Sequence, residues 1–321
     1  MAARPALLVI GPSRSGSSAL TAVLSMRGAT LPAHLMPGGK GNERGHFEPE
    51  RLERLNTAIL AALGGGYWDP IAIPQAWFAS AEASAFTVTI AETIAAEYGD
   101  GPFPIIKDPR LCRLAPLYLA ACAQLGLKPY AIIPLRHPGA AARSLSARDK
   151  TPPETAELLQ VIELLNAERH TRDIPRAWSR YADLLADWRS ATDAIAAQLG
   201  LVWPACDAEA IEAFLTSDLR HQSVEEAGPL ATHLYETALS GDEAAIRGEF
   251  GRIRAISDEH DRLIGPWQSA WRGRLAGLEG ITKQQATQIK QLEEEAAAAT
   301  RRRTETEAHW TWRLTAPFRR R

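Results

Sequence analysis

Apolar residues fall in short blocks along the first part of the chain, and the blocks alternate between two spacings. Leu7-Leu8-Val9-Ile10 is a continuous apolar run closed by Gly11, the pattern of a strand buried on both faces of a parallel sheet. Ala19, Leu20, Val23 and Leu24 follow at helical spacing and stop near Gly28. A loop rich in Gly, Pro and charge spans 35–49, and a helix is predicted over 50–63. The next strand is expected at 103–106, ending in Lys107-Asp108-Pro109-Arg110, with a helix over 115–125. A third strand is expected at 130–135, ending in Arg136-His137-Pro138, with a helix running through Ala147. Long helices are expected over 154–172 and 182–199, with a short strand at 177–181 between them.

Strands alternating with helices imply an α/β fold, a parallel sheet flanked by helices and joined by right-handed crossovers. Ligands in such sheets collect at the carboxyl ends of the strands, and here the predicted strands end in polar or charged residues. The character changes from about Trp267. A helix is expected over 275–303, with Leu275, Leu278, Ile281, Gln285, Gln288 and Leu292 forming a stripe at 3/4 spacing. The glutamines weaken that seam, so a single exposed helix is favoured over a coiled coil. The expected division is a main domain at 1–270 and a helical extension at 271–321. The last segment mixes Trp310, Trp312 and Phe318 with Arg319-Arg320-Arg321. It reads as a tail that rests on an anionic membrane surface or a partner, or else as a disordered end.

Composition narrows the function classes. With 321 residues, 45% of them hydrophobic and 23% charged, the chain has the make-up of a soluble globular protein. The net charge of −2 excludes a globally basic nucleic-acid binder. Residues 301–321 carry seven arginines and two glutamates, which leaves −7 on residues 1–300. An anion site in the main domain must therefore come from local geometry. Cys112, Cys122 and Cys206 form no CxxC pair and read as small buried hydrophobes in a reducing cytosol. No metal site is visible. The opening apolar run is too short for a signal-peptide core or a membrane span, so the expected compartment is the cytoplasm, with any membrane contact peripheral and on the inner face.

The sharpest chemical signal is Gly11-Pro12-Ser13-Arg14-Ser15-Gly16-Ser17-Ser18, between the first strand and the first helix. Glycines and small hydroxyl residues let backbone N–H groups turn inward, and the helix N-terminus adds partial positive charge, which together make a cradle for a tetrahedral anion. The Gly11-x4-Gly16 spacing is that of a nucleoside-triphosphatase P-loop, but Ser17 stands where that motif requires lysine. A second signal is Arg136 at a strand end, with Ser144 eight residues on in the following helix. A guanidinium fork and a hydroxyl so placed can grip a second phosphate.

These residues resemble the sulfotransferase superfamily that uses 3′-phosphoadenosine 5′-phosphosulfate (PAPS). Arg14-Ser15-Gly16-Ser17-Ser18 is similar to the loop that holds the 5′-phosphosulfate in carbohydrate and tyrosylprotein sulfotransferases, and Arg136 and Ser144 match the pair that binds the 3′-phosphate. The resemblance spans roughly residues 5–200 and extends to bacterial sulfotransferase-like proteins, in which threonine stands where this chain has Ser17. Asn42-Glu43-Arg44-Gly45-His46-Phe47-Glu48 occupies the place of an Asn-Pro-x-Gly-Tyr-Trp-Glu segment; Glu48 is kept and His46-Phe47 replaces Tyr-Trp.

The resemblance implies PAPS as co-substrate, 3′-phosphoadenosine 5′-phosphate as product and no metal. It assigns Glu48 as the base for an acceptor hydroxyl and Lys107 as a cation on the transferring group; His46, two residues from Glu48, is the alternative base, and Arg14 is read as the other cation. The non-catalytic reading of Glu48 is a helix N-terminal carboxylate. Asp108 and Arg110 read as a structural ion pair, and Tyr181 as packing. Trp178, Trp188 and Trp203 either stack on a ligand or fill the core. The C-terminal Trp312-Arg313-Leu314-Thr315-Ala316-Pro317 resembles segments of bacterial surface-polysaccharide proteins, which implies a glycan or glycolipid acceptor. Two other readings stay open: a nucleotide kinase or other triphosphatase, and a non-catalytic assembly module that docks, or forms an oligomer, through the extension.

Overall fold

The computed structural model describes residues 3–39, 42–68, 72–204, 206–215 and 226–315. It divides into two compact units, Met1–Ala255 and Ile256–Arg321, so the expected boundary at 270 falls inside the second.

The first unit is built on four parallel strands: β1 (Arg4–Val9), β2 (Ile105–Lys107), β3 (Leu127–Leu135) and β4 (Arg176–Arg180), in the order β2-β1-β3-β4. Each lies within a few residues of its expected place. The chain crosses from β1 to one side and then returns to the other, which puts the switch point between β1 and β3. Val9 is in register with Lys107 on one side and with Ile132 on the other. The residues that follow β1, β2, β3 and β4 therefore emerge along one edge.

Burial on both faces explains the continuous apolar runs. Ala6, Leu8 and Ile10 point into one core with Ile106, Ile133 and Leu135. Leu7 and Val9 point into the other with Ile105, Tyr130 and Ile132. Each large apolar side chain so buried contributes about 1.5–3 kcal/mol. The helices α1 (Ser17–Met26), α2 (Glu50–Ala62), α4 (Leu111–Gln124), α5 (Pro138–Asp149) and α6 (Pro153–Thr171) follow the expected order.

Several elements depart from the pattern. Between 64 and 102 the periodicity announces nothing, yet a 3-10 turn (Gln75–Ala79) and α3 (Ala81–Tyr98) form there. Ser80 caps α3 by accepting from the Ala83 amide at 3.1 Å. The expected helix over 182–199 is two, α7 (Tyr181–Ala186) and α8 (Trp188–Leu199), because Asp187 is extended and its carboxylate caps α8 through the Arg189 and Ser190 amides. α4 begins four residues earlier than its expected start at 115, with Pro116 inside it. Proline removes the amide that would bond the Cys112 carbonyl, and that carbonyl accepts instead from His170 Nδ1 at 2.9 Å. Trp188 and Trp203 are buried in the second core and take the core-filling role. Two further helices, α9 (Ala208–Phe214) and α10 (Pro229–Leu239), lead to α11 (Glu243–Thr315), whose first turns bury Ile246, Phe250 and Ile253 in the first core.

In the second unit α11 continues as a helix in which Leu275, Leu278, Ile281 and Leu292 stand exposed. Trp310 and Trp312 fall within its bounds with side chains outside the description. Pro317, Phe318 and Arg319–321, the end of the expected tail, lie outside the described residues. Among the described residues no helix is long and apolar enough to cross a membrane.

Candidate active site

The loop after β1 is shaped by two glycines. A Cβ on Gly11 would stand 2.7 Å from the Pro134 ring, so the close approach of β1 to β3 requires its absence. Gly16 has φ +92°, and a Cβ there would stand 2.2 Å from the Tyr181 ring. Arg14 also takes a left-handed backbone, with φ 66°. Gly16 caps α1, so the helix N-terminus opens on the space above the loop.

From beneath, α6 anchors the loop at Ser13. The Ser13 amide donates to Glu163 Oε2 at 2.8 Å, and Gln160 Nε2 donates to the Ser13 carbonyl at 2.8 Å. The Ser13 and Tyr67 hydroxyls hydrogen-bond to each other. Sequence reasoning missed this support. Its only trace is a pair of polar residues three apart on α6 among Leu159, Val161, Leu164 and Leu165.

One wall of the site joins the loop to α5. Arg14 Nε donates to Ser144 Oγ at 2.9 Å, and Arg136 Nη1 donates to the Arg14 carbonyl at 3.2 Å. The Arg136 guanidinium lies 5.2 Å from the centre of the Tyr181 ring. Tyr181 thus packs between Gly16 and Arg136, as expected. Burial, then the charges of Arg148 and Arg136, hold the Arg14 guanidinium below its ordinary pKa. Such crowding of like charges leaves this wall favourable to an anion.

The opposite wall is a sealed hydrogen-bond cluster. Lys107 Nζ, at the end of β2, donates to Glu48 Oε1 at 2.5 Å, the His46 carbonyl at 3.2 Å and Ser18 Oγ at 3.3 Å. Lys107 and Glu48 are both buried. Ser18 ties the loop to this wall: its hydroxyl donates to the His46 carbonyl and accepts from Asn42 Nδ2. Glu48 is set in place by the backbone, since its carbonyl accepts from the Met36 amide at 2.8 Å and Leu35 bridges Pro49. Phe47 between the two candidate bases has φ 54°, a left-handed strain common at functional sites.

The two candidate bases titrate in opposite directions. Burial raises the Glu48 carboxyl above its ordinary range, with Lys107 pulling the other way. Burial, then Lys107, Arg148 and Arg14, lower His46 to about 4. Asp108 accepts from the Arg110 amide at 2.8 Å and from its guanidinium at 3.0 Å, while Arg110 also pairs with Glu53 at 2.7 Å. That is the structural ion pair the sequence suggests.

The walls enclose one cleft of about 1010 Å³. Arg14, Gly16, Ser17, Ser18, His46, Glu48, Lys107, Arg136 and Ser144 all line it. Ser15 does not: its amide closes the turn onto the Pro12 carbonyl, and its buried hydroxyl has no hydrogen-bond partner. Seven cationic side chains and three carboxylates line this space. Residues 1–300 carry −7, so the positive field is a local construction. Among the described residues no group of three His, Cys, Asp or Glu is placed to hold a metal ion.

No protein-family model and no curated protein matches the chain. Among solved structures it is similar to the sulfotransferase domain of the olefin synthase from Synechococcus PCC 7002, with TM-score 0.44 and 18% identity, over 74% of this chain and 94% of that one. It is also similar to the sulfotransferase domain from the curacin biosynthetic pathway, with TM-score 0.37 and 16% identity, over 76% of this chain and 90% of that one.

Proposed function

We propose that the cleft binds PAPS and transfers its sulfonate to an acceptor hydroxyl, on a glycan or glycolipid, without a metal. The observation that carries this reading is the meeting of the two phosphate signals in one cleft, with Arg14 Nε 2.9 Å from Ser144 Oγ, opposite a buried lysine–carboxylate pair. The loop and helix N-terminus take the 5′-phosphosulfate, and Arg136 and Ser144 take the 3′-phosphate. A P-loop triphosphatase carries its lysine on the loop; here the ammonium comes from β2, across the cleft.

In the proposed reaction Glu48 accepts the hydroxyl proton as the acceptor oxygen attacks sulfur in line. The bond from sulfur to the 5′-phosphate oxygen breaks, and that oxygen keeps the electron pair. The products are the sulfate ester, 3′-phosphoadenosine 5′-phosphate and a proton. Lys107 and Arg14 stabilise the charge that builds on the bridging oxygen. When Lys107 turns from Glu48 to the sulfonate, the carboxylate loses its counter-charge and becomes a stronger base. Glu48, raised by burial, outranks His46, which at about 4 is a weak proton acceptor. The proposed place of work is the cytoplasm, with residues 271–321 reaching a membrane face, a partner or a second copy.

Turnover of labelled PAPS with a panel of envelope glycans, lipids and small alcohols tests the activity, and Glu48→Gln should slow it by about 10²–10⁴. Wild-type rates in Glu48→Gln would remove the base. Stronger thermal stabilisation by ATP than by 3′-phosphoadenosine 5′-phosphate would favour a triphosphatase. Nucleotide binding with no transfer, in the full chain and in a chain lacking 271–321, would favour an assembly module.

A further inference from the structure

Glu163 lies under the phosphate loop and has no part in the transfer chemistry. It is fully buried on α6; Oε2 accepts from the Ser13 amide at 2.8 Å, and Oε1 has no hydrogen-bond partner. The groups facing it come from every side. Gln160 is one turn back on α6, and Tyr67, beyond α2, bonds the Ser13 hydroxyl. Cys112 and Arg113 on α4, and Arg110 just before it, act on Glu163 through space. Arg113 directs its guanidinium to the Gly66 and Tyr67 carbonyls, at 3.0 and 3.1 Å. Burial, against the pull of the Ser13 amide and Arg113, raises the Glu163 carboxyl to about 7.

A carboxylate in this place acts on the cradle in two ways. It turns the Ser13 amide toward itself and, with Gln160, fixes the loop by both its N–H and its C=O. It also sets a negative charge beneath the seat of an anion. In a buried, low-dielectric setting two such charges oppose each other.

We propose that Glu163 is a positioning residue that couples occupancy of the phosphate loop to a proton: an anion entering the cradle drives protonation of Glu163. The proton comes from solvent and adds to Oε1, and no other bond changes. Oε2 still accepts from Ser13, so the loop keeps its seat. The inference rests on the reading of this loop as an anion site and deepens it. It adds that the site is regulated by pH through a residue that no ligand touches.

The test is calorimetric titration of the full chain at pH 7 in two buffers of different ionisation heat, with 3′-phosphoadenosine 5′-phosphate and separately with inorganic sulfate, which does not itself titrate there. The variant is Glu163→Gln, which keeps the shape and the acceptor oxygen. Wild type should take up about half a proton more than the variant with either anion. Equal proton counts overturn the proposal. Proton uptake with sulfate and no binding of nucleotide would keep the coupling and end the PAPS reading, whereas no binding of either anion would end both. Should Glu163→Gln not fold, the protonated-carboxyl infrared band of wild type must grow when sulfate is added; an unchanged band overturns the proposal.

Discussion

The two walls of the cleft carry similar residues and opposite electrostatics. On the α5 side Arg14, Arg136 and Arg148 crowd together, and burial, then the charges of Arg148 and Arg136, push Arg14 down. On the β2 side Lys107 has a carboxylate at 2.5 Å and two further acceptors. The first wall holds more cations than carboxylates, since Arg14 and Arg136 stand beside an Arg148–Asp149 pair at 2.7 Å, whereas in the second one ammonium meets one carboxylate. Affinity should therefore reside in the first wall. The second stores a base and a cation against each other until the reacting group separates them. Stability and binding should respond in opposite ways when the two walls are cut.

The largest effect is expected at Lys107. Lys107→Met leaves Glu48 buried without its counter-charge, which costs about 3–5 kcal/mol of stability. The double variant Lys107→Met/Glu48→Leu should recover most of that loss in urea unfolding and still transfer no sulfonate. Recovery of activity along with stability would show that the pair is only structural.

Arg136→Ala probes the other wall. Arg136 gives up its bond to the Arg14 carbonyl and its place on the Tyr181 ring, so the unfolding midpoint should fall far less than in Lys107→Met, while 3′-phosphoadenosine 5′-phosphate should weaken by about 1.5–3 kcal/mol, the worth of a hydrogen bond to a charged group. A midpoint that falls as far as in Lys107→Met would erase the contrast between the walls. Ser144→Ala removes the acceptor for Arg14 Nε together with the hydroxyl proposed to hold the 3′-phosphate, and should cost about 1 kcal/mol in nucleotide affinity with only a small change in stability.

What the sequence makes legible follows from how local each signal is. The loop from Gly11 to Ser18 is readable because its chemistry is contiguous, and β1 and β3 because burial on two faces leaves unbroken apolar runs. The Arg136–Ser144 pair is readable from its spacing, and its closeness to Arg14, 130 positions before Ser144, is readable only through the family likeness. Glu163 was invisible, because an acid on a helix reads as a solvent-facing residue until α6 is docked beneath a loop 150 positions away. α3 was missed because Ala83, Thr87, Ile90 and Ile94, which it buries, are diluted by alanine and threonine.

His46 gives the smallest and most diagnostic effect. In the folded chain it titrates at about 4, well below the ordinary 6.5, because burial and then Lys107, Arg148 and Arg14 disfavour its charged form. As pH falls from 6.5 toward 4 the unfolded chain takes a proton that the folded chain refuses, so stability is lost through that window and is complete above it. His46 is only half-buried, and solvent screens the effect. His46→Gln should flatten the fall in urea midpoint between pH 7.5 and pH 5, with the two proteins differing least at pH 7.5 in the part due to titration. If Glu48 is the base, turnover in His46→Gln keeps its acid limb. A limb that vanishes with the imidazole moves the proton acceptor to His46 and leaves Glu48 as the partner that holds Lys107 in reserve.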